Sequence, residues 1–246
     1  SQLSDVWVKV DIGMGRLGYF PDMLPRVFSL IDSVTHLIKG MVRLMGHLSE
    51  AEVLNSDENN RQADVFAKIV STYKLEASLC NSAAIVNLPA HHYEFVRPGL
   101  ALYGSSPIKD QSEEQLALQP VMTVKSRLIA IKDYPEGQGI GYGHDFVCPR
   151  PMRVGVISFG YGDGYPRSIR SGMPVLIHGK KCPLVGRVSM DMMTVDLSGC
   201  TDASIGEEVI LWGKDLPISA VEAASGISRY ELFTGVQNRV KFIWSD

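Results

Sequence analysis

The sequence predicts a parallel β/α unit over residues 1–112 followed by a mostly antiparallel β unit over residues 113–246. Three observations carry that division. In the first half, apolar runs of strand length alternate with helical periodicity; a polar, acidic stretch, "SSPIKDQSEEQLALQP", then breaks the pattern; and the remainder is a series of short β-like runs punctuated by Gly and Pro. Alternating strands and helices of this length imply right-handed β-α-β crossovers and a parallel sheet, open or closed into a barrel.

In "VWVKVD", Val6, Val8 and Val10 alternate with Trp7, Lys9 and Asp11, the period of a strand, and the run ends in the glycine-rich turn "GMGRLG". In "PDMLPRVFSLIDSV", Leu24, Val27, Phe28 and Ile31 fall at helical spacing, and "HLIKGMVRLMGHL" returns to a strand-like run. A second cycle follows: Phe66, Ile69, Val70 and Tyr73 mark a helix in "NNRQADVFAKIVSTYK", ahead of the strand candidate "LEASLCNS". A short "AAIVNLP" segment leads to a further buried-strand candidate in "FVRPGLALYG". Beyond the acidic stretch, "VMTVKSRLIAI" alternates, "MRVGVISFG" is a short apolar run, and "MPVLIHGKKCPLVGRVSMDMMTVDLSG" reads as strands joined by hairpins. "ISAVEAASGISRYELFTGV" has helical texture, and "NRVKFIW" reads as a final strand.

A net charge of -3 supplies no basic footprint for nucleic acid or an anionic membrane, so a small polar metabolite is the expected partner. Cys80, Cys148, Cys182 and Cys200 are widely spread with no C-x-x-C pair, a spacing that suggests neither a zinc site nor a disulfide framework. No apolar run approaches the roughly 18 residues of a membrane helix, and "SQLSDVWVKV" lacks the layout of a signal peptide. Reduced thiols in the cytoplasm are the expectation.

Arg16, His47, Asn81, Ser82 and Arg97 all fall just after, or at the edge of, the strand candidates of the first half. In a (β/α) barrel that end of the sheet holds the active site. Taken singly, each has an ordinary structural reading, such as a solvated loop histidine or, for "NS", a helix cap. In the second half, "SFGYGDGYPRSI" packs three glycines around two tyrosines and an aspartate, more turn chemistry than a hairpin needs. By composition alone Tyr161 reads as a turn aromatic covering the sheet.

"KVDIGMGRLG", "RPGLALYG", "GYGDGYPR" and "VGRVSMDMMTVDL", in that order and spacing, together resemble the alanine racemases, pyridoxal 5'-phosphate enzymes of bacterial cell-wall metabolism. The resemblance implies that residues 1–112 are the C-terminal part of a (β/α) TIM-type barrel carrying the cofactor, that residues 113–246 are the family's β-rich domain, and that the enzyme is a head-to-tail homodimer. It implies interconversion of L- and D-alanine by two acid–base groups, supplying D-alanine for peptidoglycan. The cofactor takes up the electrons released with the α-proton, and the protein supplies the proton carriers, a phosphate anchor and the groups that tune the ring.

By the same resemblance, Tyr161 matches the catalytic tyrosine that reaches the partner subunit's site. A phenol, with an ordinary pKa of about 10, needs cationic or hydrogen-bonding neighbours to act as a base at neutral pH. His47 matches the histidine against the cofactor ring, placed to link the tyrosine to Arg97, and Arg97 matches the arginine facing the pyridine nitrogen. A permanent cation there keeps that nitrogen unprotonated and weakens the electron sink, which favours racemisation over side reactions. Ser82, Gly99 and Leu100 match the phosphate-binding positions, with Asn81 beside them, while Asn238 stands where a phosphate-contacting tyrosine is common. Arg16 matches an arginine near the ring hydroxyl and the substrate carboxylate, and Met190 the partner-subunit residue whose backbone meets that carboxylate. Arg187 and Asp191 fall near the access channel, and Lys9 matches a lysine that some members carry as a carbamate.

One family feature has no counterpart. The lysine bonded to the cofactor stands in a motif like V-K-A-N-A-Y-G-H-G, but none of Lys9, Lys39, Lys68 and Lys74, the lysines before residue 100, is followed by Ala-Asn-Ala-Tyr. The expectation is a chain lacking the first part of the barrel, with two unpaired edge strands, inactive unless a companion segment stays bound. The competing expectations are a non-catalytic cofactor-binding or dimerisation remnant, and a racemase for serine or another small amino acid.

Overall fold

Four strands, β1 (Val6–Lys9), β2 (Val42–Met45), β3 (Ala77–Asn81) and β4 (Phe95–Arg97), lie side by side in chain order, all parallel. Helices α1 (Leu24–Ser33) and α2 (Asp57–Tyr73) provide the first two crossovers, and α3 (Ser82–Asn87) begins directly on β3. The coordinates are a computed structural model that describes residues 4–244, and the chain forms two compact units, 1–118 and 119–246.

Alternation along the strands sorts the side chains of the first unit. Val8, Val10 and Leu44 join Leu24 of α1 and Phe66 and Ile69 of α2 in one buried core. Trp7, Lys9 and Arg43 point to the opposite face, where the Arg43 guanidinium lies 5.6 Å from the Trp7 ring centre and 5.0 Å from that of Phe95 while pairing with Asp5 and Glu76. Helix α2 is closed at both ends: Ser56 Oγ accepts from the Asn59 N–H at 3.1 Å, and Lys74 terminates it at φ 52°. Because all four strands run one way, their C-terminal ends, at Lys9, Met45, Asn81 and Arg97, share one edge of the sheet.

The sequence places the division between the units at residue 112. In the structure Glu113 is buried and lies 3.4 Å from both the Ser105 hydroxyl and the Ser106 N–H, and Leu116 packs on the first core, so residues up to Leu118 stay with the first unit.

The second unit is an antiparallel barrel. Its main strands are β5 (Val124–Tyr134), β8 (Met152–Ile157), β9 (Pro174–Ile177), β10 (Lys180–Val185), β11 (Met193–Asp196) and β12 (Glu208–Trp212), closed in the order β10-β11-β8-β5-β12-β9. A two-stranded ribbon, β6 (Gly139–Ile140) and β7 (Phe146–Val147), precedes β8; α4 (Ile218–Ser225) and α5 (Arg229–Gly235) follow β12. The register shifts between Leu128 and Ala130, and again between Ile210 and Trp212, which bends the long β5 and β12 enough to close the ring. Leu128, Ile157, Tyr165, Met193 and Trp212 fill the interior, with Tyr165 and Trp212 stacked at 6.0 Å.

Two elements differ from the sequence reading. "NRVKFIW" contains no strand among the described residues: the Val240 N–H closes a turn onto the Gln237 carbonyl at 3.0 Å, and the Arg239 side chain is drawn back onto Asp163 and Asp191. The strand that seals the barrel is instead β12, in "EEVILW", an apolar run too short and too closely flanked by turn residues for periodicity to single it out.

Phe66 is fully buried and touches the backbone position of Gly46, so Phe66→Ala should cost about 3–5 kcal/mol, against about 1 kcal/mol for loss of the α2 cap in Ser56→Ala. Midpoints of urea unfolding followed by circular dichroism check the ranking.

Candidate active site

The loop after β1 is built around one carboxylate. Asp11 Oδ1 accepts the N–H groups of Gly13 at 3.0 Å and Gly15 at 3.1 Å, and these bonds hold the carboxyl below its usual pKa range. The chain then returns alongside β1: the Tyr19 N–H donates to the Lys9 carbonyl and the Asp11 N–H to the Tyr19 carbonyl, both at 2.9 Å. Gly18 makes that return possible, since at φ 124° a Cβ there would stand 2.6 Å from the Asp11 nitrogen. Arg16 is presented, exposed, on this tied loop.

Arg97, the last residue of β4, is anchored across the sheet. Nη1 donates to Ser78 Oγ at 2.5 Å, and Nη2 to the Gly46 carbonyl at 2.8 Å, the Leu79 carbonyl at 3.2 Å and His47 Nδ1 at 3.4 Å. Its Nε–H has no acceptor among the described residues. A guanidinium only donates, so His47 Nδ1 accepts and the imidazole proton lies on Nε2. Burial first, then the charges of Arg97, Lys9 and Arg16, push the His47 pKa down to about 4, so the ring is neutral at pH 7. Lys9 is lowered by burial and by the positive charges of Arg97 and Arg16, against a smaller opposing effect of Asp11.

The next feature along the edge is a pair of helical starts tied together through Ser82. Ser82 Oγ accepts from the N–H groups of Gly99 at 2.7 Å and Ala101 at 3.2 Å, tying the start of α3 to the start of the short 3-10 turn Leu100–Tyr103. Helix geometry leaves the first N–H groups of each turn, those of Ser82, Ala83 and Leu100, without intrahelical acceptors. A Cβ at Gly99 would meet open space. Asn81 has a defined structural task, because its Oδ1 caps α3 by accepting from the Ala84 N–H at 3.0 Å. Lys9, Arg16, His47, Ser82, Arg97, Gly99 and Leu100 thus gather at the C-terminal edge of one parallel sheet, a neutral imidazole among three cations beside unpaired backbone donors.

In the second unit Tyr161 opens a 3-10 turn, Tyr161–Asp163, clamped onto the segment before β11. The Tyr161 N–H donates to the Ser189 carbonyl at 3.0 Å and the Gly162 N–H to the Met190 carbonyl at 2.8 Å. The flanking glycines are dictated by close approach: a Cβ would stand 2.3 Å from the Ser189 oxygen at Gly160, and at Gly164, where φ is 107°, 2.1 Å from the Gly235 oxygen. The Tyr161 ring is partly exposed and the Arg167 guanidinium lies 5.8 Å from its centre. Arg187 pairs with Asp145, with Nη2 to Oδ1 at 3.0 Å.

Arg239, which the sequence reading passed over, holds this region together. Its Nε donates to Asp163 Oδ1 at 2.8 Å, and Nη2 to Asp191 Oδ1 at 2.7 Å and the Met190 carbonyl at 3.4 Å. The second Asp163 oxygen accepts from the Gly160 N–H at 2.9 Å, so one arginine joins the Tyr161 turn to Met190 and Asp191. Its only sequence signal was its place beside Asn238; nothing in a loop's spacing marks which distant carboxylates it will meet.

Residues 2–107 match the family model "Alanine racemase, N-terminal domain" and residues 121–244 match "Alanine racemase, C-terminal domain". The chain is 42% identical over 242 residues to an alanine racemase of Nitrosomonas eutropha, covering 97% of this chain and 66% of the relative. It is 41% identical over 241 residues to one of Vibrio vulnificus, covering 98% and 67%. Among solved structures, a biosynthetic alanine racemase from Pseudomonas aeruginosa superposes with a TM-score of 0.92 at 38% identity, covering 100% of this chain and 68% of the other. An alanine racemase from Bartonella henselae with covalently bound pyridoxal phosphate gives 0.85 at 28%, covering 97% and 66%. The chain spans about two thirds of the length of the relatives it matches.

The unfolded chain protonates His47 near pH 6.5 and the folded chain only near pH 4, so His47 makes stability fall as pH drops through that window. The imidazole C–H signals should stay unshifted from pH 7 to 5, and unfolding midpoints should depend less on pH in His47→Gln; a titration near 6.5 would contradict this. Arg239→Ala should release the turn, raising deuterium uptake at the amides of Tyr161 and Gly162 while leaving β5 and β8 protected.

Proposed function

The chain belongs to the alanine racemase family, and from that premise we propose that it binds pyridoxal 5'-phosphate and acts in the interconversion of L- and D-alanine. The observation that carries the cofactor reading is Arg97. Its terminal nitrogens are consumed by the sheet and His47, while Nε–H is left as a fixed, charged donor for a ligand acceptor. An anionic group is further favoured by Arg16 and by the backbone donors at Ser82 and Leu100, with open space beside Gly99.

When bound, the cofactor supplies the conjugated electron sink that makes the substrate's α-proton acidic. Ser82, Gly99 and Leu100 would hold its phosphate, with Asn81 shaping that turn through its cap. Arg97 would donate Nε–H to the ring nitrogen and, as a permanent cation, keep it unprotonated. His47, neutral and fixed by Arg97, would lie against the ring, and Arg16 would orient the ring hydroxyl and the substrate carboxylate.

Tyr161 would carry the proton at one face of the substrate α-carbon, with the Arg167 guanidinium lying 5.8 Å from its ring centre. In a homodimer the Tyr161 turn would serve the partner subunit's site, with Met190 offering its backbone to the substrate carboxylate and Arg187 and Asp191 bordering the access channel. Lys9, made less basic by burial and then by its cationic surroundings, would form a carbamate: its free amine bonds to carbon dioxide, a proton leaves to solvent, and the resulting anion pairs with Arg16. No lysine of this sequence stands in the family's Lys-Ala-Asn-Ala-Tyr context, so proton transfer at the opposite face is assigned to no residue here. A cytoplasmic role in supplying D-alanine for peptidoglycan follows from this reading.

The test is an L- to D-alanine interconversion assay on the purified protein with added pyridoxal phosphate, paired with native mass spectrometry of every polypeptide present. Racemisation should appear where a companion polypeptide is bound, fall by about 10²–10⁴-fold in Tyr161→Phe with cofactor binding retained, and be accompanied by the mass of one carbon dioxide on Lys9. Cofactor binding without racemisation would leave the non-catalytic reading; absence of cofactor binding would overturn both.

A further inference from the structure

One end of the antiparallel barrel carries a side-chain cluster for which the proposed racemase chemistry has no use. His178 and Gly179, at φ 52° and 71°, form the two-residue turn between β9 and β10, and Cys200 and Asp202 lie in the segment between β11 and β12. Cys200 is fully buried, whereas His178 and Asp202 are exposed, so the cluster has a soft donor at its base and a mouth open to solvent.

The donor atoms lie close to the spacing of a coordination shell. Cys200 Sγ lies 4.0 Å from His178 Nδ1 and 3.6 Å from Asp202 Oδ1, and His178 Nδ1 lies 3.5 Å from Asp202 Oδ2. A tetrahedral zinc ion, with bonds of about 2.3 Å to sulfur and about 2.0–2.1 Å to nitrogen and oxygen, separates its ligands by about 3.3–3.6 Å. The two Asp202 distances run to different oxygens; with one ligand atom from each residue, all three lie within 4.8 Å of one another, so binding draws the side chains together by up to about 1.5 Å. The second observation is the other face of the imidazole: Nε2 lies 2.6 Å from Glu207 Oε2, a buried oxygen. That short contact places a carboxylate behind the imidazole while its Nδ1 edge faces the thiol and Asp202, the arrangement of an outer carboxylate behind a metal-ligating histidine.

We propose that His178, Cys200 and Asp202 form a binding site for one zinc-class divalent ion, with its fourth position open to water. The Cys200 thiol loses its proton to solvent as the metal–sulfur bond forms, and no electrons change hands. Thiolate and carboxylate together balance the divalent charge; Lys180, 3.2 Å from Asp202 Oδ1, offsets Glu207.

The test is titration of the metal-stripped protein with Co²⁺ alone, followed by Zn²⁺. One equivalent should produce a thiolate-to-cobalt charge-transfer band with the intense visible bands of a tetrahedral ion, both abolished by Zn²⁺. The band should persist in Cys182→Ser and vanish in Cys200→Ser and in His178→Asn, which keeps a residue suited to the left-handed turn. Glu207→Gln should weaken Co²⁺ binding by about 10–100-fold. If Cys200→Ser does not fold, the exposed His178→Asn decides. Absence of a charge-transfer band at millimolar Co²⁺, or its survival in His178→Asn, would overturn the site and leave the cluster as an ion-pair network.

Discussion

Much of the first unit's chemistry depends on one buried cation stitched across the sheet. Arg97 leaves β4 and donates to groups on β3 and to the end of β2, binding the side chain of Ser78 and the carbonyls of Gly46 and Leu79. Those bonds compensate the desolvation of the guanidinium and fix it in one rotamer. Its charge then adds to the effect of burial in keeping the His47 ring neutral and making Lys9 less basic, and its Nε–H is the donor not spent on the protein. A surface arginine in water would do none of this, because solvent would screen it.

The second unit uses close backbone approach for the same purpose of fixing one turn and its side chain. At Gly160 and Gly164 the main chain passes where any Cβ would collide with a carbonyl, and the Tyr161 amide is bonded to the neighbouring segment. Arg239 then ties the turn's aspartate to Asp191 and Met190. The turn is thereby held from two sides while the phenol remains partly open to solvent. Rigidity in the backbone with exposure of the side chain suits the proton-carrying role proposed for Tyr161.

The two halves were legible in different degrees. Period-two alternation in "VWVKVD" and helical spacing around Phe66 announced β1 and α2, because each buries one face against a single core. The barrel was read only as antiparallel β, since closure depends on register shifts in β5 and β12 that leave no mark in composition. The mistaken final strand in "NRVKFIW" has the same origin: its apolar residues suit a strand, but the Arg239 ion pairs hold that segment as loop.

The sequence by itself determined the alternation of elements, the four family strings and the identity of the groups that end at one sheet edge, because strand order and strand direction follow from local periodicity and crossover handedness. Only the tertiary structure decided the electrostatic state of those groups and the partners of Ser82, Asn81, Arg97 and Arg239. It alone brought His178, Cys200 and Asp202 together from spacings that suggested no metal site. The reason is physical: a pKa or a ligand set depends on distances of a few ångströms between residues far apart in the chain, and such distances are set by packing and register rather than by local pattern.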